Sequence, residues 1–358
     1  MFSKKLEKIQ NYEAGKPIEL VVREFGINPK DIIKLASNEN PYGCSPKAIE
    51  EVTKIVPNMN LYPDDSMFEL KEKLANKFEV NSKNIIIGAG SDQVLEFAIN
   101  AIEPKKVLMA KTTFAMYEIY SNIVGAEIIK TKSDFHILDE FREKLSLNPD
   151  IIFLCLPNNP VGECLDWTEV EKFINEVDKD TLIIIDGAYQ EYASFKDSNK
   201  KIEPKDILKY ENVLYTGTFS KAYGLGGMRV GYGIANEFII SNLYKLRPPF
   251  NITNLTLKAS IIALDDEEFV KDSIEKNFIE MKRYEEFCKN KNLKYIESYT
   301  NFITIFVDDS TKLADELLKI GIIVRNLAGY SMNAIRITIG SKSQNDKVLK
   351  ILAELIKG

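Results

Sequence analysis

VLYTGTFSKAYGLGGMRVGYG runs from Val213 to Gly233 and is the most informative segment of the chain. An apolar, strand-like run ends in a turn of small residues, and Ser220, Lys221, several glycines and Arg229 follow it. A hydroxyl, an amine and a guanidinium are thus placed on glycine-rich backbone at the end of a predicted buried strand. This arrangement suits a lysine that forms an imine with a phosphorylated aldehyde, with Ser220 and Arg229 on its phosphate. A Ser-Lys pair alone says little, because most lysines are solvated surface charges.

Length and composition narrow the class of protein. A chain of 358 residues is too long for one small core, which favours two domains. Its 45% hydrophobic and 28% charged residues are typical of a globular protein, and its net charge of −6 argues against a general nucleic-acid binder. The N-terminal segment has no continuous apolar run typical of a signal peptide, and no stretch is long enough to span a bilayer. We therefore expect a cytoplasmic protein with no nucleic-acid or membrane partner.

The few cysteines and the single histidine exclude several chemistries. The four cysteines form no CxxC pair, which indicates reduced packing residues rather than disulfides. His136 is the only histidine, so a histidine-ligated metal site and a Ser-His-Asp hydrolase are both disfavoured. We predict no metal site, and we expect His136 to be an ordinary loop residue.

Apolar, β-branched runs alternate with amphipathic helical stretches between about residues 84 and 235. This alternation predicts a mostly parallel sheet covered by helices on both faces. Ligands of such sheets bind beyond the carboxyl ends of the strands. The seven predicted strands are Ile85–Gly88, Val107–Ala110, Ala126–Thr131, Ile151–Leu156, Leu182–Asp186, Val213–Gly217 and Val230–Ile234.

The C-terminal third has a different pattern. Two long helical stretches, Leu255–Leu264 and Glu267–Asn290, precede the short strand-like runs LKYIES, NFITIFV, GIIVRN and NAIRITIG. Strands mixed with helices in this way indicate a smaller α+β domain. We predict an N-terminal arm over residues 1–34, a large domain over 35–250 and a small domain over 251–358.

The segment NIIIGAGSDQVLEFAINAI combines a strand, a glycine turn and a helix. Ser91 and Asp92 would begin the helix, whose free N–H groups favour a phosphate. A dinucleotide-binding GxGxxG fingerprint fails here, because Gln93 takes the sixth position and the next strand ends in LMAK without an acid for a ribose. An ordinary helix N-cap explains Ser91 and Asp92 equally well on this segment alone.

Two further strand ends offer polar side chains. Asn159 follows Ile151–Leu156, and its amide could donate to a phenolate-like oxygen, although Asn and Pro are also common in plain turns. Asp186 ends the next buried strand, where a carboxylate needs a cation or good hydrogen bonds. A pyridinium nitrogen would be such a partner, and Tyr189 could reach the ring oxygen of the same molecule. The alternative for Asp186 is a helix N-cap.

Taken in order, these motifs resemble those of the fold-type I aminotransferase superfamily. Its pattern of NPxG, then D-x-A-Y, then S-K-x-x-x-x-x-G-x-R is present in full and spans the strand ends described above. The resemblance implies pyridoxal 5'-phosphate (PLP) as cofactor and a large domain with a mostly parallel seven-stranded sheet beside a smaller α+β domain. Lys221, Asp186 and Tyr189 are then the catalytic residues, with Lys221 resting as an imine on PLP.

Within that superfamily the runs LASNENPYGCSPKA, LYPDDSMFELKEKLA and TFAMYEIY look like those of the histidinol-phosphate aminotransferases. Members of that family transaminate a phosphorylated amino alcohol, L-histidinol phosphate, with 2-oxoglutarate, which leaves as glutamate. Tyr62 is then expected to reach the cofactor of a partner subunit, so the resemblance implies a homodimer with shared sites. It further implies that the backbone of Ser91 and Asp92 holds the PLP phosphate with Ser220 and Arg229, that Phe114 stacks on the ring, and that the substrate contacts Arg336, Arg325, Tyr12 and Asn38.

Three departures and three alternatives accompany this prediction. Phe114 stands where related enzymes often carry Tyr, Gly187 where they carry Glu, and NPVG replaces the commoner NPTG. An aromatic aminotransferase or a phospho-amino-acid decarboxylase would use the same Lys221 and Asp186. An effector-binding module of a regulator would need a DNA-binding domain, for which the sequence leaves no room before the motifs begin. A nicotinamide-dependent oxidoreductase fails on the incomplete fingerprint.

Overall fold

The computed structural model describes residues 5, 7, 9 and 17–356. In this part of the chain the strands are β1 Ile33–Lys34, β2 Ile85–Gly88, β3 Lys106–Met109, β4 Glu127–Lys130, β5 Ile151–Cys155, β6 Leu182–Asp186, β7 Val213–Thr218, β8 Gly231–Ile234, β9 Phe302–Phe306, β10 Ile322–Ile323, β11 Arg325–Asn326 and β12 Ala334–Thr338. The helices are α1 Ile18–Phe25, α2 Pro46–Ile55, α3 Phe68–Phe78, α4 Ser91–Ile102, α5 Ala115–Val124, α6 Leu138–Leu145, α7 Trp167–Glu176, α8 Gln190–Lys196, α9 Pro204–Ile207, α10 Glu237–Tyr244, α11 Asn254–Asp265, α12 Glu267–Asn290, α13 Ser310–Lys319 and α14 Lys342–Leu355.

A seven-stranded sheet forms the centre of the large domain. Its order is β2-β8-β7-β6-β5-β3-β4, and β8 runs antiparallel to both of its neighbours while the other pairs are parallel. Successive residues of one strand belong to different hydrophobic clusters: Ile183 and Ile185 face one, and Ile184 faces the other. Both faces are therefore buried under helices, which explains the continuous apolar runs. The predicted α/β fold class and all seven predicted strands are confirmed.

The register of the central strands places their carboxyl ends side by side. Cys155 on β5 pairs with Asp186 on β6, and Asp186 pairs with Thr216 on β7. The segments that follow these three strands therefore start at one edge of the sheet, and they carry Asn159, Tyr189 and Lys221.

A three-stranded antiparallel sheet of order β11-β12-β9 lies beside α12, α13 and α14 in the C-terminal third. The run LKYIES forms no strand there, and a single bridge joins Tyr295 to Ile305. β1 pairs with β10, so the segment after α1 is tied to this C-terminal region. Leu257 and Ile261 of α11 pack in the same hydrophobic cluster as the large sheet, and the domain bounds remain a prediction.

Close backbone contact between β8 and α4 requires a glycine at position 231. A Cβ built on Gly231 would lie 2.2 Å from the Ser91 nitrogen and 2.9 Å from the Gly217 oxygen. The N-terminus of α4 thus rests directly on β8, and this contact fixes where its N–H groups point.

We predict that Gly231→Ala lowers the free energy of unfolding by about 1–3 kcal/mol, because the new methyl group must displace backbone rather than a flexible side chain. Thermal or urea unfolding measures the change. Gly227→Ala is the matched control, because nothing lies within 4 Å of a Cβ at that position. Equal stability of the two variants would contradict the proposed contact.

Candidate active site

A cavity of about 330 Å³ lies at the carboxyl ends of β5, β6 and β7. Twelve of the fourteen residues predicted from the sequence line it: Asn38, Ser91, Asp92, Phe114, Asn159, Asp186, Tyr189, Ser220, Lys221, Arg229, Arg325 and Arg336. Tyr62 does not line it, and Tyr12 lies outside the described residues. The structure therefore brings together groups from chain segments nearly 300 residues apart.

Lys221 presents a weakly basic amine to this cavity. Its Nζ donates to the Ser37 oxygen at 3.2 Å and lies 5.8 Å from the centre of the Tyr189 ring. Burial is the main reason that its pKa falls to about 8, and the positive charges of Arg336 and Arg229 lower it further. A substantial fraction of this amine is therefore neutral near pH 8, as a nucleophile or a proton acceptor must be.

Asp186 ends β6 with a carboxylate that is almost fully buried. The Tyr117 hydroxyl donates to Oδ2 at 2.7 Å, and the Ala188 N–H donates to Oδ1 at 3.0 Å. Burial raises the pKa of Asp186 to about 6, although both hydrogen bonds oppose the shift. The positive charge of Lys221 also opposes the shift, but it forms no ion pair with Asp186, so burial outweighs the groups that stabilise the carboxylate.

Tyr117 is a residue of the site that no motif in the sequence predicted. It lies in the first turn of α5, three residues after Phe114, so both side chains face the same side of that helix. Its ring stacks on Phe153 with centroids 4.3 Å apart, which fixes the direction of its hydroxyl. The spacing within TFAMYEIY carried the signal, but only the fold shows that the hydroxyl meets Asp186.

The hydroxyl of Tyr189 is hydrogen-bonded by Asn38, which lies in the N-terminal part of the chain. The Asn38 amide donates to the Tyr189 hydroxyl at 2.8 Å, and the Asn38 carbonyl accepts from the Thr338 hydroxyl at 2.9 Å. Asn38 is buried and adopts a left-handed conformation with φ of 56°. Both ends of its amide are thus engaged, so Asn38 orients Tyr189 at the wall of the cavity.

Arg336 connects the C-terminal sheet to the turn after β5. Its guanidinium donates to the Asn159 side-chain oxygen and, at 2.7 Å, to the Ala36 oxygen. The first bond leaves the Asn159 amide nitrogen as the group available to a ligand. Arg325 pairs with Arg336 across β11 and β12, which places two guanidinium groups on one side of the cavity.

A glycine turn and a cluster of donors form the opposite corner of the cavity. Gly90, with φ of 84°, precedes α4, and a Cβ there would lie 2.7 Å from Nη2 of Arg229. Arg229 lies 3.4 Å from the Ser220 hydroxyl and 3.7 Å from the Asp92 carboxylate. The N–H groups of the first turn of α4, a hydroxyl and a guanidinium suit a phosphate.

Two of the three departures noted in the sequence, Phe114 and Gly187, have visible physical consequences. Phe114 lines the cavity edge-on to Tyr117, with ring centroids 5.5 Å apart, so it offers an apolar face without a hydroxyl. A Cβ on Gly187 would lie 2.4 Å from the Tyr215 hydroxyl. The Tyr215 ring therefore occupies the space that a larger residue at 187 would need.

Tyr62 lies on the outer surface with 81% of its area exposed. It stacks on Phe250 with centroids 4.6 Å apart, and the neighbouring Asp65 forms paired bonds of 2.9 and 2.8 Å with Arg247. An anchored loop therefore holds Tyr62 against Phe250 and leaves most of its surface exposed. Met59, Leu61 and Phe68 are exposed near it in the sequence.

Metal and membrane features are not found in the described residues. They contain no group of three or more His, Cys, Asp or Glu side chains arranged to hold a metal ion. None of the helices described is both long and apolar enough to cross a membrane.

With this geometry established, comparison with known proteins defines the family. The model of the family described as aminotransferase class I and II matches residues 30–352. The chain belongs to this family. It is therefore an aminotransferase, as the three ordered motifs predicted.

Individual relatives agree with the family assignment. The chain is 60% identical over 363 residues to the histidinol-phosphate aminotransferase of Aliarcobacter butzleri, and the match covers 99% of each chain. It is 56% identical to the enzyme of the same name from Sulfurimonas denitrificans, with 99% of this chain and 100% of that one covered. The crystal structure of histidinol-phosphate aminotransferase from Sinorhizobium meliloti in complex with pyridoxal-5'-phosphate has the same fold, with a TM-score of 0.90, 23% identity, and 99% and 97% of the two chains covered.

The burial of Asp186 predicts an unusual pH dependence of stability. The folded state raises its pKa from about 3.9 to about 6, so ionisation of Asp186 destabilises the cofactor-free protein as the pH rises through this interval. At pH 8 we expect the free energy of unfolding of cofactor-free Asp186→Asn to exceed that of wild type by up to about 3 kcal/mol. The gain is smaller at pH 5. Urea unfolding at both pH values checks this, and a gain independent of pH would contradict it.

Proposed function

We propose that this aminotransferase uses PLP to transfer the amino group of L-histidinol phosphate to 2-oxoglutarate. The products are imidazole-acetol phosphate and L-glutamate, formed in a ping-pong cycle that serves histidine biosynthesis. Near-full-length identity to histidinol-phosphate aminotransferases supports this substrate. The observation that carries the proposal is that Lys221 and Asp186 line one cavity, each with its pKa shifted toward the neutral form.

The residues of the cavity fit PLP. A buried carboxylate whose charge burial disfavours is a suitable partner for a protonated ring nitrogen, and Asp186 supplies it. When bound, PLP serves as an electron sink for the negative charge that develops on the substrate carbon. Asp186 would keep the ring nitrogen protonated, and Phe114 would pack against the ring.

The corner around Gly90 would hold the cofactor phosphate. We assign the backbone N–H groups of Ser91 and Asp92, the Ser220 hydroxyl and the Arg229 guanidinium to it. The Ser220 Oγ atom lies 3.0 Å from the Thr218 hydroxyl and 3.4 Å from Nη1 of Arg229, which hold it in this corner.

Asn159 and Tyr189 would donate to the ring oxygen of the cofactor. The Asn159 amide is oriented by Arg336, and the Tyr189 hydroxyl accepts from Asn38, so each keeps a donor for the cavity. Two donors on one oxygen favour its anionic form.

Lys221 would carry the proton. Its Nζ is the group that accepts the proton from the substrate carbon bearing the amino group and later gives it up. With a pKa of about 8, Lys221 can perform both steps near neutral pH. Arg336 and Arg325 would bind the phosphate of the substrate or the carboxylates of 2-oxoglutarate, because a guanidinium binds such anions in a bidentate fashion.

Lys221→Ala is expected to lower turnover at least a thousandfold, because both nucleophile and proton carrier are lost. The assay follows glutamate formation from 2-oxoglutarate with L-histidinol phosphate, phenylalanine and phosphothreonine in parallel. Lys245→Ala, at an exposed lysine of the outer surface, is the matched control and is expected to retain wild-type activity. A Lys221→Ala enzyme with ordinary activity would refute the role of this residue.

The same assay separates the alternatives. Strong preference for L-histidinol phosphate supports the proposed substrate. Equal rates with phenylalanine would indicate an aromatic aminotransferase. With phosphothreonine, carbon dioxide is measured as well as glutamate, and its release without glutamate would indicate a decarboxylase of the same fold.

A homodimer is part of the proposal. The exposed, anchored Tyr62 and its apolar neighbours support a contact in which Tyr62 reaches the cofactor phosphate of the partner subunit. The role of Tyr12 in the substrate pocket, the three domain bounds and a cytoplasmic location belong to the same proposal.

Tyr62→Phe keeps the apolar ring and removes only the hydroxyl. We expect the dimer to persist in analytical ultracentrifugation while the affinity for PLP, measured by absorbance titration, falls about tenfold. Tyr210→Phe, whose hydroxyl faces Glu171 at 3.4 Å, is the control and should bind PLP like wild type. Unchanged affinity in Tyr62→Phe would rule out the shared phosphate contact.

A further inference from the structure

The only histidine of the chain is not an ordinary loop residue. His136 lies in the loop between β4 and α6, as predicted, but its side chain is fully buried and stacks on Phe141 with centroids 5.8 Å apart. A buried imidazole needs a partner for each ring nitrogen. His136 has both, and they connect it to the turn that carries Asn159.

The Nε2 atom of His136 accepts a backbone hydrogen bond from β5. The Leu156 N–H bonds to the Asp186 oxygen on β6, so the preceding Cys155 N–H points to the other side of the strand. On that side β5 pairs with β3, but this pairing ends at Ile152. The Cys155 N–H therefore has no partner on β3, and it donates to Nε2 of His136 at 3.3 Å. Nε2 must therefore be the unprotonated nitrogen of the ring.

The Nδ1 atom of His136 then carries the proton and donates to Glu163, whose Oε1 lies 3.1 Å away. The same oxygen accepts from the backbone N–H of His136 at 3.0 Å and from the Asn158 amide at 3.0 Å. The Asn158 amide also donates to the Thr112 oxygen at 3.0 Å. One carboxylate oxygen thus joins the histidine loop to the turn at residues 158–163.

The turn itself is closed by its backbone. The Asn158 N–H donates to the Glu163 oxygen at 2.8 Å, and the Gly162 N–H donates to the Asn158 oxygen at 2.7 Å. Asn159 lies inside this closed turn, with its side-chain oxygen on Arg336. The orientation of its amide toward the cavity is set from one side by Arg336 and from the other by the fixed backbone of the turn.

We propose that His136, as the Nδ1–H tautomer, and Glu163 are positioning residues that hold the Asn158–Asn159 turn so that the Asn159 amide faces the cofactor. The role of Asn159 in this statement rests on the proposed function, whereas the tautomer and the network do not. Neither His136 nor Glu163 lines the cavity, so both act through Asn159.

The tautomer can be tested without activity. In protein labelled with ¹⁵N-histidine, one imidazole gives all the signals, so no assignment is needed. Long-range ¹H–¹⁵N spectra of the cofactor-free protein at pH 7.5 should show a protonated Nδ1 and an unprotonated Nε2. An Nε2–H tautomer or a doubly protonated ring would overturn the proposal.

Two substitutions test separately the donor function of Nδ1 and the acceptor function of Nε2. His136→Asn places an amide nitrogen near Nδ1 and keeps a donor to Glu163, whereas His136→Gln places an amide oxygen near Nε2 and keeps only the acceptor for Cys155. We expect His136→Gln to lower kcat about tenfold with little change in KM and to shift the absorption maximum of bound PLP, since the loss of about one hydrogen bond corresponds to this factor. His136→Asn should restore both values toward wild type.

Asn212→Ala is the control for a general loss of stability. The buried Asn212 amide donates to the Asp178 and Thr181 oxygens at 3.1 and 2.8 Å, at the opposite ends of the same strands. Its removal should lower the melting temperature and leave the PLP spectrum unchanged. An unchanged spectrum and kcat in His136→Gln, or an equal defect in both His136 variants, would overturn the positioning role. Should L-histidinol phosphate prove not to be a substrate, the imidazole and PLP spectra still decide the question.

Discussion

The alignment of three parallel strands is the constraint on which the site depends. The amide of Asn159, the carboxylate of Asp186 and the amine of Lys221 come from separate segments, and only the hydrogen-bonded register of β5, β6 and β7 brings them to one edge. A slip of one residue would turn Asp186 to the opposite face of the sheet. The two faces of these strands pack in different hydrophobic clusters, so a slip would also place each side chain in a space shaped for another residue.

Burial in the cavity shifts both ionisable groups toward their neutral forms. The pKa of Asp186 rises to about 6 and that of Lys221 falls to about 8, in each case chiefly because the charged form loses water. The protein keeps these unfavourable groups close together without pairing them to each other. A ligand that brings a cationic nitrogen to Asp186 and an anionic group to Arg229 relieves the strain, which gives the fold a physical reason to bind a zwitterionic ring compound tightly.

Much of the fold and of the first layer of the site could be predicted from the sequence. The seven strands are long, apolar runs between glycine turns, and Asp186 and Lys221 follow two of them at the spacing of known motifs. The partners of these groups could not be predicted. Tyr117 meets Asp186 across 69 residues and Asn38 meets Thr338 across 300, and no local pattern encodes such contacts. The composition of LKYIES predicts a strand, but the segment forms only one isolated β-bridge, between Tyr295 and Ile305 of β9.

The residues that hydrogen-bond to the side chains around the cavity form a second group of polar contacts behind it. A buried donor or acceptor that is left unpaired costs about 1–3 kcal/mol, which favours partners for the groups around the cavity. Tyr117 donates to Asp186, Asn38 donates to Tyr189, and Glu163 accepts from Asn158. These partners lie on different elements, so hydrogen bonds from several parts of the chain fix the side chains around the cavity. Arg336 completes it from β12, because the same guanidinium bonds to the turn after β5 and to the Ala36 oxygen near β1. The orientation of Asn159 is therefore coupled to the seating of the C-terminal sheet on the large sheet, and any displacement between the two would be transmitted directly to the site.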